Sequence, residues 1–282
     1  MSVSRAIAAL RKILVGAFVL AVYVFLFAPL VVVVGASFDG GEHAFLNFPP
    51  KDISLAWYAK IPARYFETLS VSLYLGAVAA VGSSILGVLA GLALVRSDFR
   101  GKAFIATLFR APLQVPAIVT GFAFLQLYYL IGGATGLFIN GTFLGLAIAH
   151  IFITVPYVIG TTVAVLHRFN ASLEEAAISL GASRWSTFRR VTLPLILPGV
   201  YAGALYAFII SFGDVPVSMF LSGTRYTTFP VEMFYGIEMD FDPSILCIST
   251  LILIGSFVLI WLFQKLIGLN ALLDTGGQSE RR

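Results

Sequence analysis

The side chains that could do chemistry are few, because only 11% of the 282 residues are charged. Asp214 is the acid that lies well inside a long apolar run, and Gly213 and Pro216 flank it. An ionised carboxylate at the centre of a bilayer costs about 2.5–3.5 kcal/mol unless it faces water or a partner, and the flanking residues weaken the helix. Asp214 is therefore either a group that contacts a cation or couples to a gate, or a structural hydrogen-bond partner of a neighbouring helix.

A second interrupted helix is predicted where Pro112 and Pro116 enclose Gln114. Tyr128 and Tyr129 fall toward the outer end of that run, where tyrosines are also common as interfacial anchors. The tyrosines therefore either contact the solute or serve as interfacial anchors, and the anchor role is favoured. The candidate residues for contact with a polar solute are Asp214, Gly213, Pro216, Gln114 and Tyr128.

Neither a catalytic set nor a metal site is predicted. Glu174 and Glu175 are adjacent and therefore point in different directions on a helix, and the single Cys247 gives no disulfide framework. His150 lies in an apolar run and is expected to be packed or hydrogen-bonded. The other two histidines, His43 and His167, lie in loops, so the three do not form a metal-binding set.

The composition is that of a protein whose solvent is lipid. Hydrophobic residues make up 59% of the chain and the mean hydropathy is +0.95, whereas soluble proteins carry about 25% charged residues. A helix needs about 20 mostly apolar residues to cross a hydrocarbon layer of roughly 30 Å. Six runs meet this length, at residues 13–36, 69–95, 111–131, 143–166, 195–221 and 244–267. We therefore predict an all-α integral membrane protein with six transmembrane helices.

The first run also has features of a cleaved signal peptide, since Arg5, Arg11 and Lys12 precede it and small residues close it at 34–36. Its 24 residues exceed the apolar core of about 7–15 residues that a signal peptide has. We therefore favour an uncleaved first helix.

The basic residues indicate the orientation, because Lys and Arg are enriched on the cytoplasmic side of membrane proteins. With the N-terminus inside, only Lys51, Lys60, Arg64 and Arg225 of the 18 basic residues fall outside. Both termini are then cytoplasmic. The inner set is Arg5, Arg11, Lys12, Arg96, Arg100, Lys102, Arg110, Arg168, Arg184, Arg189, Arg190, Lys265, Arg281 and Arg282.

The outer loops are net acidic under this topology. Their acids either attract a cationic ligand or carrier protein or are the complement of the positive-inside bias, and the second interpretation is favoured. The net charge of +4 follows the topology and predicts no nucleic-acid partner. The outer acids are Asp39, Glu42, Asp52, Glu67, Glu232, Glu238, Asp240 and Asp242.

The inner loop at residues 168–194 is patterned as two short helices. Ser172 and Glu175 have the spacing of a capping box, in which side chains satisfy free N–H groups at a helix start. Gly181 is expected to stop this helix, and Ser183 to cap a second helix that ends before Pro194. A helix-turn-helix with small residues suits docking into a groove of another protein, although a loop that merely connects two helices can have the same pattern.

This loop also carries a resemblance to a known family. Glu175-Ala-Ala, three residues, Gly181, nine residues and Val191-Thr-Leu-Pro194 resemble the E-A-A, x3, G, x9, I-x-L-P signature of ABC importer permeases, with valine in place of isoleucine. We call residues 168–194 the EAA loop. The resemblance covers about residues 67–267 and is greatest to the second-subunit branch of the spermidine/putrescine permeases, through residues 112–121 and 211–218 and, less specifically, 242–245.

The resemblance implies a type I, MetI-like permease fold. A five-helix core at residues 67–267 follows a segment at 1–66 that holds a cytoplasmic N-terminus, the first helix and an outer loop, and a cytoplasmic tail occupies 268–282. The EAA loop is then seated in a cleft of a separate ATP-hydrolysing subunit, where Glu175 meets a basic group. The residues expected to couple to that subunit are Glu174, Glu175, Ala176, Ala177, Gly181, Ala182 and Ser183.

The same resemblance implies the partners and the location. The chain is expected to be a multi-pass protein of the bacterial inner membrane, in contact with lipid, that pairs with a second, homologous but distinct permease. A homodimeric ATP-binding subunit uses ATP and Mg, so this chain is not an enzyme and binds no cofactor itself. A periplasmic solute-binding protein supplies the solute.

The substrate is expected to be a small cationic or zwitterionic organic solute, polyamine-like, with opines, aminophosphonates and ferric iron as alternatives within the same architecture. An ion-coupled secondary transporter that uses Asp214 is the alternative function, but no inverted repeat is evident. A membrane-embedded enzyme is a third possibility, and it would need a metal or nucleophile cluster that the sequence does not show.

Overall fold

A computed structural model describes residues 3–41, 47–168, 170–239 and 242–267, so the predicted roles of Glu42, His43, Asp240 and the C-terminal arginines lie outside it. The regular structure of these residues is helical, with one isolated antiparallel bridge between Asp39 and Ile53. The helices are α1 (Val3–Ala36), α2 (Ala56–Ala59), α3 (Ala63–Arg96), α4 (Lys102–Leu108), α5 (Ala117–Thr135), α6 (Phe143–Arg168), α7 (Ser172–Ser179), α8 (Arg184–Thr187), α9 (Leu193–Phe212), α10 (Pro216–Leu221), α11 (Phe229–Met239) and α12 (Ser244–Ile267). A 3₁₀ turn, Ala111–Leu113, precedes α5, and a π-helical turn, Phe188–Thr192, joins α8 to α9.

Five described helices are long and apolar enough to cross a membrane. They are Ala9–Ala36, Ala63–Arg96, Ala117–Thr135, Phe143–Arg168 and Arg184–Phe212. They overlap the first five predicted runs, but the fifth helix starts 11 residues before and ends nine residues before the predicted run at 195–221. The sixth run forms α12, a helix of 24 residues, Ser244–Ile267. That α12 crosses the membrane and that both termini lie in the cytoplasm stay predictions.

The described residues divide into two compact units, one drawn from Met1–Ala63 and Gly236–Arg282 and the other from Arg64–Tyr235. In the first unit α1 packs against α12, and the Cys247 thiol donates to the Ser37 carbonyl at 3.4 Å. The Tyr58 hydroxyl lies 2.7 Å from that of Ser37. The carboxylate of Asp39 accepts the backbone N–H of Lys51 at 3.1 Å, so this acid, which is predicted to lie outside, holds the backbone at Lys51.

The second unit is built around α6, which packs against α3 and α9 through glycines. A β-carbon at Gly87 of α3 would lie 2.7 Å from Val158, and one at Gly203 of α9 would lie 2.4 Å from the hydroxyl of Thr161. Lipid is as apolar as a leucine side chain, so helices in a membrane associate through close backbone approach and hydrogen bonds. Small residues at these crossings therefore hold the three long helices together.

An apolar core closes one end of this unit, where α5, α6 and α10 meet. Leu146 and Val217 are fully buried. Tyr128 is 2% exposed in the same core, and its hydroxyl donates to the Gly145 carbonyl at 2.7 Å. This position satisfies the polar end of the side chain inside the protein, so Tyr128 serves packing here and is not at an exposed interfacial position.

Candidate functional site

The first helix of the EAA loop, α7, starts one residue earlier than the sequence pattern suggested. The side-chain oxygen of Asn170 accepts the N–H of Ser172 at 3.1 Å, and the N–H of Glu175 bonds to the Ala171 carbonyl at 3.3 Å. The predicted capping box of Ser172 and Glu175 is therefore wrong. Ser172 is already the first residue of α7, and an asparagine in a preceding turn satisfies a free N–H just as well.

The turn after α7 is the one that was predicted. Gly181 has φ +89°, which is strained for any residue with a β-carbon. The N–H of Ala182 returns to the Ala177 carbonyl at 3.0 Å, closing the helix end. The hydroxyl of Ser183 then accepts the N–H of Ser186 at 3.2 Å, so the predicted cap of the second helix is confirmed.

The second helix of the loop does not end before Pro194, and this prediction is wrong. α8 passes through the π-helical turn directly into α9, and the whole segment, Arg184–Phe212, is one apolar helix. A proline is tolerated near a helix start because its missing N–H is not needed there. The wider turn at Phe188–Thr192 places Pro194 at the start of α9, so the second helix of the loop and the spanning helix form one continuous segment.

The EAA loop exposes large apolar side chains to solvent. Leu180 is 89% exposed, Trp185 69% and Ile178 50%, and Glu175 is exposed as well. Trp185 stacks on Phe188 with ring centroids 5.7 Å apart, which fixes its orientation. We call Glu175, Ile178, Leu180 and Trp185 the docking surface, because apolar patches rimmed by charge mark interaction sites.

Glu174, the neighbour of Glu175, points into the protein, and 19% of its side chain is exposed. Its carboxylate contacts the guanidinium of Arg96, at the end of α3, and the hydroxyl of Thr192, at the start of α9, and Arg96 lies 3.4 Å from the Thr192 hydroxyl. The structure thus separates the two adjacent glutamates that the sequence grouped together. No local sequence signal identifies this contact, because Arg96 is 78 residues away.

The fifth apolar run is broken where Asp214 lies. α9 ends at Phe212 and α10 begins at Pro216, so the predicted interruption by Gly213 and Pro216 is confirmed. Asp214 is 8% exposed, and its Oδ2 accepts the N–H of Ser218 at 2.8 Å. The carboxylate therefore caps the short helix α10, whereas Gly213 and Pro216 themselves are exposed.

A buried hydrogen-bond network surrounds this break. His150 of α6 is fully buried, as predicted, with Nδ1 2.7 Å from the Ser211 hydroxyl and Nε2 3.0 Å from that of Ser218. Nε2 also lies 3.9 Å from Oδ2 of Asp214. The hydroxyl of Thr154, which donates to the His150 carbonyl, lies 2.7 Å from that of Ser83 on α3. Polar groups in lipid need such partners, so the network fixes the break against two other helices.

The remaining predicted residue, Gln114, is exposed in the gap between the 3₁₀ turn and α5. Beside this gap a groove of about 670 Å³ has Pro112, Phe152 and Pro156 among its mostly apolar walls. A separate polar cavity of about 430 Å³ is lined by Arg64, Glu67, Thr68, Val71, Thr224, Arg225 and Thr227. Within the part of the chain that the structure describes, no group of three or more His, Cys, Asp or Glu side chains could hold a metal ion.

These features define a class: an all-helical membrane protein with several apolar spans, in which an exposed two-helix loop runs directly into the fifth span. The sequence profile of the family described as "Binding-protein-dependent transport system inner membrane component" matches residues 83–267. The chain belongs to this family, and it is a membrane permease component of an ABC importer.

Curated relatives and a solved structure agree with the family. The putrescine transport system permease protein PotI of Escherichia coli K12 is 33% identical over 234 residues, 82% of each chain. The spermidine/putrescine transport system permease protein PotC of the same strain is 29% identical over 251 residues, 88% of this chain and 92% of that one. The fold matches a bacterial ABC transporter involved in the import of the acidic polysaccharide alginate, with TM-score 0.71, 17% identity and coverage of 94% and 98%.

Proposed function

We propose that this chain is one half of the pore of an ATP-driven importer in the bacterial inner membrane. It would span the membrane six times with both termini in the cytoplasm, as a core at residues 67–267 between an N-terminal part at 1–66 and a tail at 268–282. The observation that carries the proposal is the docking surface, because its four exposed residues lie in the EAA loop, which carries the family's signature and leads directly into a spanning helix.

The docking surface has the chemistry of a protein contact. Aromatic and large apolar side chains supply most of the binding energy of interfaces, and Trp185 and Leu180 are both exposed here. Glu175 adds a charge that can pair with a basic group of an ATPase cleft. Because the loop continues into α9, closure of the ATPase subunits would move a spanning helix and alternate the pore between outward-facing and inward-facing states.

The partners follow from the family. They are a second, homologous permease that completes the pore, a homodimeric ATP-binding subunit that uses ATP and Mg, and a periplasmic solute-binding protein. Relatives named PotC and PotI support the spermidine/putrescine group, whose pore is built from two different permeases. ATP hydrolysis then lies on the separate subunit.

The substrate we propose is a small cationic or zwitterionic organic solute, polyamine-like. The names of the similar permeases and the acid at the helix break both favour a polyamine. The fold itself does not decide the charge of the solute, since the alginate importer shares it. Opines, aminophosphonates and ferric iron remain the alternatives.

The coupling role is tested by Glu175→Arg in the assembled complex. Glu175 is exposed, so reversing its charge should change folding by no more than about 0.5 kcal/mol. Loss of a buried interfacial charge pair costs about 2–5 kcal/mol, so ATP-driven uptake of radiolabelled putrescine and co-purification of the ATPase should both be lost. Asp98→Arg is the matched control, because the Asp98 side chain is fully exposed outside the loop. Normal uptake by Glu175→Arg refutes the docking assignment.

The substrate is tested on the solute-binding protein of the system. Thermal-shift measurements against putrescine, an opine, an aminophosphonate and a ferric chelate should give stabilisation by putrescine alone, because a ligand that binds only the folded state raises its melting temperature. Stabilisation by another compound overturns the substrate but keeps the importer. Uptake that collapses with an ionophore and is independent of ATP would instead establish a secondary transporter.

A further inference from the structure

Glu174 occupies a position between three helices. α7 is attached to the chain at its two ends, and the carboxylate of Glu174 adds a side-chain anchor to Arg96, the last residue of α3, and to Thr192, at the base of α9. Thr192 is fully buried, whereas Arg96 and Glu174 keep 36% and 19% of their side chains exposed. We call these three residues the Glu174 clamp.

The two anchored helices lead to the centre of the second unit. α3 packs on α6 at Gly87 and Gly91, and α9 packs on α6 at Gly199 and Gly203. A displacement of α7 therefore reaches α6 through α3 as well as through α9 as long as the clamp is closed. Without the clamp, the displacement passes through the backbone connections of α7 to α6 and α8 and through its packing against the π-helical turn, and the direct side-chain link to α3 is lost.

The chemistry of the clamp suits a mechanical link. A carboxylate that accepts from a guanidinium and a hydroxyl forms charge-assisted bonds with defined directions. A partly exposed ion pair of this kind adds little to stability. The clamp is therefore expected to act by coupling the movement of α7 to that of α3 and α9.

We propose that Glu174 is a positioning residue of transport. Together with Arg96 and Thr192, it makes α7, the end of α3 and the base of α9 move as one body when the ATPase displaces the EAA loop. This inference rests on the proposed function, because it requires an ATPase that acts on the loop. Glu175, one residue further on, meets the partner, whereas Glu174 transmits the movement inside the chain.

The first test measures coupling in the whole transporter, reconstituted in vesicles with its ATPase, second permease and binding protein. Glu174→Ala should keep the ATPase bound and hydrolysing, while putrescine uptake per ATP falls about tenfold, a typical size for coupling between sites. The double variant with reversed charges, Arg96→Glu with Glu174→Arg, should recover most of the wild-type ratio of putrescine uptake to ATP hydrolysis. Asp98→Asn, which removes an exposed ion pair with Lys102, is the matched control and should leave the ratio unchanged.

A merely structural role would lower assembly, hydrolysis and uptake in parallel and leave the ratio of uptake to hydrolysis unchanged, which would overturn the proposal. If Glu174→Ala fails to assemble, the charge-reversed pair decides: recovered assembly and uptake support the clamp, and their absence overturns it.

The second test needs no substrate. Spin labels at Ser97 and Ser179, both exposed, report the distance between the ends of α3 and α7 when Cys247 is replaced by serine. In the wild-type complex this distance should be the same in the nucleotide-free and the vanadate-trapped states. In Glu174→Ala the distribution of distances between the two labels should broaden on trapping. A wild-type distance that shifts on trapping shows that the clamp opens and overturns the inference. A complex that neither hydrolyses ATP nor responds to trapping would instead refute the proposed function.

Discussion

The role of Asp214 can be decided by comparing two substitutions at one position. Asp214→Asn keeps a side-chain oxygen for the N–H of Ser218 but removes the charge. Asp214→Ala removes both. The 2.8 Å contact between Oδ2 and the Ser218 N–H makes this pair of variants informative, because it separates the capping role from any role of the charge.

The expected magnitudes follow from the geometry. Ser218 is fully buried, so Asp214→Ala leaves a buried N–H without a partner, which costs about 1–3 kcal/mol and lowers the melting temperature by several degrees. Asp214→Asn should leave the melting temperature nearly unchanged. If the carboxylate contacts a cationic solute, replacing a charged hydrogen bond with a neutral one costs about 1–1.5 kcal/mol, which is about tenfold in uptake kcat/KM.

The assay combines thermal unfolding of the purified complex with uptake of radiolabelled putrescine. We expect Asp214→Asn to lose about tenfold in uptake at an unchanged melting temperature. Asp214→Ala should show both reduced uptake and a lower melting temperature. Normal uptake by Asp214→Asn together with reduced stability of Asp214→Ala would refute the solute contact and leave Asp214 as the cap of α10. Reduced stability of both variants would refute the assumption that the amide replaces the carboxylate as a cap.

Two further predictions concern glycines. Gly203→Val should destabilise the assembled protein by about 1–3 kcal/mol through overpacking, because a β-carbon there lies 2.8 Å from the Cα of Val158. Gly160→Ala, where a β-carbon has no atom within 4 Å, is the control and should assemble normally in a detergent-stability measurement. Equal stability of the two variants would contradict the packing of α6 on α9. Gly181→Val should abolish ATP-driven uptake because φ +89° costs a residue with a β-carbon about 1–2 kcal/mol and the turn of the EAA loop is lost. Gly101→Val carries the same strain at φ +86° outside the loop and should transport normally.

The apolar runs and the signature of the EAA loop could be read from the sequence because both depend on residues close to one another in the chain. Span length is a matter of consecutive apolar residues, and Gly181 and Ser183 act on backbone groups within a few positions. Where two local solutions compete, the sequence is less decisive. Asn170, and not Ser172, accepts the free N–H at the start of α7. A π-helical turn lets the helix continue through Pro194 where an end was expected. In both cases the expected and the observed arrangement can each satisfy the backbone groups at a helix end.

The sequence by itself determined that lipid is the solvent of this protein, where most of its spans lie and which loop carries the signature of its family. Only the tertiary structure decided the direction of individual side chains. It turned Glu175 toward solvent and Glu174 toward Arg96, and it placed His150 beside Ser211 and Ser218 at the break that Asp214 caps. The contacts of Glu174 and His150 join residues 61 to 78 positions apart. Their cause is the approach of separate helices, α7 to α3 and α6 to α9 and α10, which no local pattern contains.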